Sequence, residues 1–270
     1  MSEPERLAIA AESTPPLDLP GLFARTVMNF PDQVAVKSAG RELTYRQLDQ
    51  LSGQLARAFR ERLGSEPRPI AVLAENPVDV IVALMGVLRS GHFYSILASK
   101  LPPLRLTAIL EDLQPPIILT DSSLKALAEQ AVPKGCEIFI LDQVNAIDDS
   151  PFELAIPPGS LAGVYYTSGS TGEPKGVLRE HIAIIQRGLA ESEINRLTSR
   201  DKLILTHALS ATASLMTVFS AFFSGATLII YEADKLGIAP LGELLLNEKI
   251  TIFRRTLPIC WVGRRWPQKR

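Results

Sequence analysis

The stretch Pro69-Ile-Ala-Val-Leu-Ala74 is apolar without a break, and Asn76-Pro77 follows it at once. A strand that is apolar on both faces belongs inside a parallel sheet covered on both sides. Asn76 can cap a helix and Pro77 can occupy its first turn, so a helix is expected to about Arg89, where Gly91 stops it. The same alternation recurs along the chain. Strands are expected at 34–37, 117–119, 137–141, 161–166, 202–205, 226–231 and 249–252, with helical patterns at 104–113, 122–131, 180–196, 213–223 and 238–247. Strands and helices in this order imply an α/β fold of βαβ units, parallel sheets flanked by helices, with right-handed crossovers.

Local signals refine the layout. Thr44-Tyr-Arg-Gln47 has the form of a capping box and opens a helix with Leu48, Leu51, Leu55, Ala58 and Phe59 on one stripe. Residues 1–20 are polar and Pro-rich and are expected to be a loosely held arm. The segment 145–159 contains three prolines and is a plausible linker, which would split the body 21–253 into two α/β subdomains near 145–160. Residues 254–270 hold both tryptophans and six of the 28 basic residues and follow neither helix nor strand periodicity. They read as an aberrant basic tail, either a plain extension or the mark of a lost continuation.

The balance of residues excludes several classes. A formal net charge of −1 offers no global field for nucleic acid or an anionic membrane. There is no apolar run long enough to span a bilayer and no basic-then-apolar leader, so a cytoplasmic protein is expected. The two cysteines, Cys136 and Cys260, do not make a disulfide framework, and no Cys/His cluster has metal-ligand spacing. His92 and His181 have no partner pattern.

Chemistry concentrates between the strand ending at Tyr166 and the helix expected from Glu180. Thr167-Ser168-Gly169-Ser170-Thr171-Gly172-Glu173-Pro174-Lys175-Gly176 combines three glycines, four hydroxyls and a lysine. Glycines let the backbone take conformations that side chains forbid, and free N–H groups beside hydroxyls and a cation suit a polyanion such as a phosphate chain. The spacing is not that of the Walker loop. A mobile Gly/Ser/Thr linker is the plain alternative, but linkers rarely place Pro-Lys-Gly directly after a buried strand.

Tyr166 to Val177 resembles the signature loop of the adenylate-forming superfamily, which includes acyl-CoA synthetases, luciferases and the adenylation domains of nonribosomal peptide synthetases. Leu43 to Leu48, Leu84 to Tyr94, Leu106 to Asp121 and Phe219 to Ile230 resemble its other segments in the right order. The similarity covers roughly residues 20–253 and is nearest to the peptide-synthetase branch. It implies the layered α/β/α subdomains of that family's large N-terminal domain, incomplete at its C-terminus. It also implies attack of a small carboxylate on the α-phosphate of Mg-ATP, giving an acyl-adenylate and pyrophosphate. The acceptor would be a carrier protein's phosphopantetheine or coenzyme A. The resemblance assigns ATP phosphate binding to Thr167, Ser168, Gly169, Ser170, Thr171, Gly172 and Lys175.

Three departures from the family pattern matter. Where amino-acid-activating members carry an aspartate for the substrate ammonium, this chain has Thr212, beside Ala211. A neutral threonine cannot balance a buried ammonium, so an acyl or aryl substrate is the alternative. His207, five residues earlier, reads as structural. Second, Phe93 to Leu97 stands where Pro-Leu-Asp is usual, which puts local packing in doubt. Third, the later Tyr-Gly-x-Thr/Ser-Glu segment that supplies a Mg²⁺ ligand, the Thr-Gly-Asp motif and the lid lysine do not occur. The catalytic residue is therefore unassigned, Mg²⁺ would arrive only with ATP, and the 270 residues alone are expected to be a truncated enzyme of little activity, with a non-catalytic remnant as a further alternative.

Overall fold

A computed structural model describes residues 18–253 except 39, 142–151, 153, 158 and 169–172. The central and tail segments 142–151 and 254–270 therefore lie outside the described residues. The elements are α1 (Leu19–Asn29), β1 (Val34–Ser38), β2 (Arg41–Thr44), α2 (Tyr45–Leu63), β3 (Pro69–Leu73), α3 (Pro77–Arg89), β4 (Phe93–Ile96), α4 (Pro103–Leu113), β5 (Ile117–Thr120), α5 (Lys125–Ala131) and β6 (Glu137–Ile140). They continue as β7 (Leu161–Ser168), β8 (Pro174–Glu180), α6 (His181–Ile194), β9 (Lys202–Leu205), α7 (Thr212–Ser224), β10 (Thr227–Ile230), α8 (Ala233–Leu236), α9 (Leu241–Asn247) and β11 (Ile252–Phe253).

Two sheets result. The first has the order β11-β9-β10-β1-β2 and the second β6-β5-β3-β4-β7-β8. All pairings are parallel except β1 with β2 and β7 with β8. The apolar runs read as buried strands are buried: β5 and β10 are covered along their whole length, and β3 from Ile70 onward. The expected α/β architecture with helix-flanked parallel sheets is present.

Helix α3 explains how the sheets are joined. From Val80 to Arg89 every residue is buried, so this helix is covered on all sides. It packs against β3 and β4 of one sheet and β1 and β2 of the other. One core cluster runs through it from Val36 and Leu228 to Ile70 and Tyr94. A smaller cluster on the far side of the second sheet joins α4 and α5 to Ala71, Leu73 and Ile118. Burying each large aliphatic side chain of α3 is worth ~1.5–3 kcal/mol relative to exposure.

Caps set the ends. Thr44 Oγ1 accepts from the Gln47 amide and the Gln47 side chain returns to the Thr44 amide, completing the capping box. Asn76 caps α3 through the Val78 amide. Gly225 ends α7 in the left-handed region at φ 71°, where a Cβ would also lie 2.5 Å from the Phe30 ring.

Several boundaries differ from expectation. The arm boundary at 20 falls inside α1: Leu19 is fully buried and Asp18 caps the helix through the Gly21 amide. The other Asp18 oxygen accepts from the Ile156 amide, so the described part of the 145–159 segment is tied to the first helix. The sheets do not divide the chain at 145–160, because β7 and β8 join β3–β6 and only β9–β11 return to the sheet of β1 and β2. Among the described residues the strand expected over 249–252 begins only at Ile252, since Lys249, one residue past the C-cap Glu248 of α9, takes a positive φ of 55°. Phe93 to Ile96, where the local packing stood in doubt, is the parallel strand β4, buried from Tyr94.

Candidate functional site

Thr167, Ser168 and Pro174 to Gly176 form the last described pairs of a β-hairpin stem. β8 runs antiparallel to β7, from Leu161 opposite Glu180 to Ser168 opposite Pro174. Helix α6 starts only at His181, at the opposite end of β8. Among the described residues no helix begins between β7 and β8.

β7 is placed by its neighbours. Gly163 lies opposite Tyr94 on β4, and a Cβ there would fall 2.6 Å from the Tyr94 ring, so only glycine lets the strands approach. The Tyr94 and Tyr165 hydroxyls are 2.7 Å apart in the interior, with the rings edge to face. Burial pushes both phenols up, so neither ionises at ordinary pH. Alternation along the strands puts Tyr165 and Thr167 of β7, with Lys175, Val177 and Arg179 of β8, on the face toward the larger core cluster, where Val177 packs. Val164, Tyr166, Gly176 and Leu178 lie on the other face.

Thr167 and Lys175 are paired across the stem, both exposed, with the Thr167 hydroxyl 3.5 Å from the Lys175 carbonyl. Ser168 takes the last pair before the turn. Gly169, Ser170, Thr171 and Gly172 lie outside the described residues. The structure therefore brings Thr167, Ser168 and Lys175 together at the root of the loop.

Ala211 and Thr212 are elsewhere. Ala211 is the N-cap of α7 and Thr212 its first residue, after the carboxyl end of β9. Both are half-buried. Neither lines the two hollows described next, and neither do Thr167 and Lys175.

Both hollows open at the carboxyl ends of parallel strands, where open α/β sheets bind ligands. One, of about 500 Å³, lies beyond β3 and β5, whose outgoing connections leave in opposite directions. Glu75, Asp79, Asp121, Glu232 and Lys235 line it. The other, of about 210 Å³, is walled by Val80, Ile96, Leu97, Ser99, His207 and Tyr231 among others. His207, read as structural, is thus part of a cavity wall. Lys235 bridges Glu75, just past β3 of one sheet, and Glu232, just past β10 of the other, the latter at 2.7 Å. Lys235 also holds the Glu75 carboxyl below the usual range. Asp121 accepts from the Glu75 and Leu124 amides and from Ser123. The clue to these residues is positional: Asp121 directly follows β5, Glu75 and Glu232 lie two residues past β3 and β10, and Asp79 and Lys235 lie in the helices that follow β3 and β10.

His92 and His181 are buried structural histidines. Each Nδ1 accepts a backbone amide, from Arg68 at 3.2 Å and from Leu19 at 3.4 Å. Burial holds the His92 pKa below the ordinary value and lowers that of His181 to about 4. Among the described residues no group of three or more His, Cys, Asp or Glu could hold a metal ion, and no helix is long and apolar enough to cross a membrane.

A family model described as AMP-binding enzyme matches residues 23–258. Tyrocidine synthase 1 of Brevibacillus parabrevis is 31% identical over 251 residues, a match covering 92% of this chain and 23% of that protein. Surfactin synthase subunit 1 of Bacillus subtilis (strain 168) is 32% identical over 238 residues, covering 87% of this chain and 7% of that one. The chain thus spans less than a quarter of the length of these relatives. The AMPPNP-bound form of the nonribosomal peptide synthetase FmoA3 superposes with a TM-score of 0.80 at 26% identity, over 93% of this chain and 27% of that one. The N-terminal subdomain of Klebsiella oxytoca NpsA shares the fold, with a TM-score of 0.77 at 22% identity, over 87% of this chain and 61% of that one.

Proposed function

The chain belongs to the AMP-binding enzyme family, and from that premise we propose that its hairpin loop holds the triphosphate of ATP during activation of a carboxylate. The observation that carries this reading is the pairing of Thr167 with Lys175 at the root of a loop made of glycines and hydroxyls. Thr167, Ser168, Gly169, Ser170, Thr171 and Gly172 would supply hydroxyl and amide donors, and Lys175 a positive charge, to the β- and γ-phosphates. As a substrate carboxylate attacks the α-phosphorus, pyrophosphate departs with added negative charge. Donors fixed beforehand lower the cost of that charge and align the leaving group. Mg²⁺ enters as the companion of the nucleotide.

The finer points are proposals of the same kind. The substrate is an amino acid, by likeness to the peptide synthetases. The second reading, an acyl or aryl carboxylate, is favoured by the neutral Thr212 at the start of α7. The acceptor is the phosphopantetheine thiol of a carrier protein, or coenzyme A. The 270 residues alone bind nucleotide phosphate but turn it over weakly, because the Tyr-Gly and Thr-Gly-Asp motifs do not occur in them.

Calorimetric titration with Mg-ATP and with AMP tests the central claim. ATP is expected to bind more tightly than AMP, and Lys175→Ala to weaken ATP about tenfold, the equivalent of ~1.4 kcal/mol, with AMP little changed. Equal affinity for the two nucleotides, or an unaltered Lys175→Ala variant, would refute it. Carboxylate-dependent exchange of pyrophosphate into ATP at rates usual for enzymes would refute weak turnover. On a longer protein carrying the missing motifs, the same exchange with α-amino acids against simple acids separates the two substrate readings.

A further inference from the structure

We infer that Tyr166 and Asp112 are positioning residues for the phosphate loop, forming a strut that ties the hairpin stem to helix α4 one residue pair below Thr167 and Lys175. The inference rests on the reading of that loop as a triphosphate holder. Tyr166 leaves β7 on the outer face and packs against the smaller core cluster. Its hydroxyl donates to Asp112 Oδ2 at 2.6 Å, and Asp112 lies in the last turn of α4. Across the hairpin Tyr166 is paired with Gly176, where a Cβ would lie 3.6 Å from the tyrosine ring. The ring therefore covers the one position of β8 at that level without a side chain, and the hydroxyl reaches past it to the helix.

This arrangement has consequences for the loop. β8 is the edge of its sheet, paired on one side only. The inner face of the stem is held by the Tyr94–Tyr165 contact within the sheet. A hairpin held on one face can still pitch about its root. A short hydrogen bond to a carboxylate on a packed helix opposes that motion and is stronger than a neutral one. The phenol remains a donor, since burial and then the Asp112 bond raise its pKa. Asp112 stands on the face away from Thr167 and Lys175, so its charge does not face the phosphates. Donors act on a developing charge only where their placement is fixed, so the strut's contribution is to pitch and not to contact.

The test uses Tyr166→Phe, Asp112→Ala, their double variant and Asp112→Asn, which keeps an acceptor. Hydrogen exchange read on peptides across 162–180 is expected to quicken several-fold in both single variants, no further in the double, and less in Asp112→Asn. In parallel titrations, Mg-ATP affinity is expected to fall three- to tenfold while AMP affinity and the melting temperature stay near the parent's. Unchanged hairpin exchange, or additive effects in the double variant, would overturn the strut. Hairpin exchange that quickens while ATP affinity stays intact would overturn its positioning role alone. If the parent itself shows no preference for ATP over AMP, the loop reading fails and the positioning role falls with it.

Discussion

Arg89 offers a sharp test of how the helical layer is fixed. It ends α3 with only 7% of its surface exposed. One guanidinium nitrogen donates to the Asp49 carbonyl at 2.5 Å and to Ser52 Oγ at 2.9 Å, and lies 2.9 Å from the Asp49 carboxylate. The other donates to the Phe152 carbonyl at 3.0 Å. The guanidinium also fills the space over Gly53, whose Cβ would sit 3.5 Å from it. Arg89→Ala removes the donor to three oxygens in a buried spot and leaves a void. Breaking a buried pair by deleting one partner costs ~3–5 kcal/mol. The Asp49 side chain is 31% exposed and can be rehydrated, which favours the lower end, about 3 kcal/mol. Asp49→Asn leaves the three hydrogen bonds to Asp49 O, Ser52 and Phe152 and should cost only ~1 kcal/mol. At ~2–4 °C per kcal/mol for a domain of this size, Arg89→Ala should melt roughly 10 °C early and Asp49→Asn ~3 °C early. Calorimetry with urea titration of the same variants measures both. An Asp49→Asn loss equal to or above that of Arg89→Ala would refute the reasoning, since it would make the ion pair, and not the buried hydrogen bonds, the dominant contribution.

Other outcomes follow from the same geometry. His181 has a folded pKa of about 4 against an ordinary 6.5, so the unfolded chain takes up its proton first. Stability from this group is intact above pH 6.5 and falls as pH drops toward 4, by ~3 kcal/mol in all. Urea titrations at pH 7 and 4.5 should show a shallower loss in His181→Gln, and an unchanged pH slope would count against it. Gly163→Ala should destabilise by ~1–3 kcal/mol because the new methyl meets the Tyr94 ring, and Tyr94→Leu should recover part of the loss in the double variant. Additive losses there would show that the clash is not the cause. Tyr45→Phe should cost ~1–2 kcal/mol, because the hydroxyl serves the buried carbonyls of Ala226 and Ala221 at 2.7 and 3.2 Å. A melting point equal to the parent's would refute it.

What could be read from the residues was local and strongly patterned. The capping box at Thr44, the cap at Asn76 and the apolar runs of β3 and β5 carry their structure in adjacent side chains. β8 was hidden because Val177-Leu178-Arg179 is short and follows Pro174 and Gly176. Two runs joined by a Gly-bearing loop are nonetheless a hairpin signature, and that signal was available. The start of α1 was masked by the proline-rich arm, although Asp18 before Pro20 is a cap followed by a first-turn proline. That Ala211 and Thr212 stand at a helix start apart from the hollows, while His207 walls one, depends on which strands share a sheet, and no local pattern encodes that.

The order of strands also bears on how the chain is born. The second sheet is built from residues 69–180 without interruption, so its partners emerge from the ribosome one after another. β1 has no such fortune: Ser38 bonds to the Ile230 carbonyl, 192 positions later. At ~5–20 residues per second, β1 and β2 wait roughly 10–40 s for β10 to be made. During that interval Val34 to Ser38 is a strand with one open side, and a helper that shields nascent apolar segments would act there first.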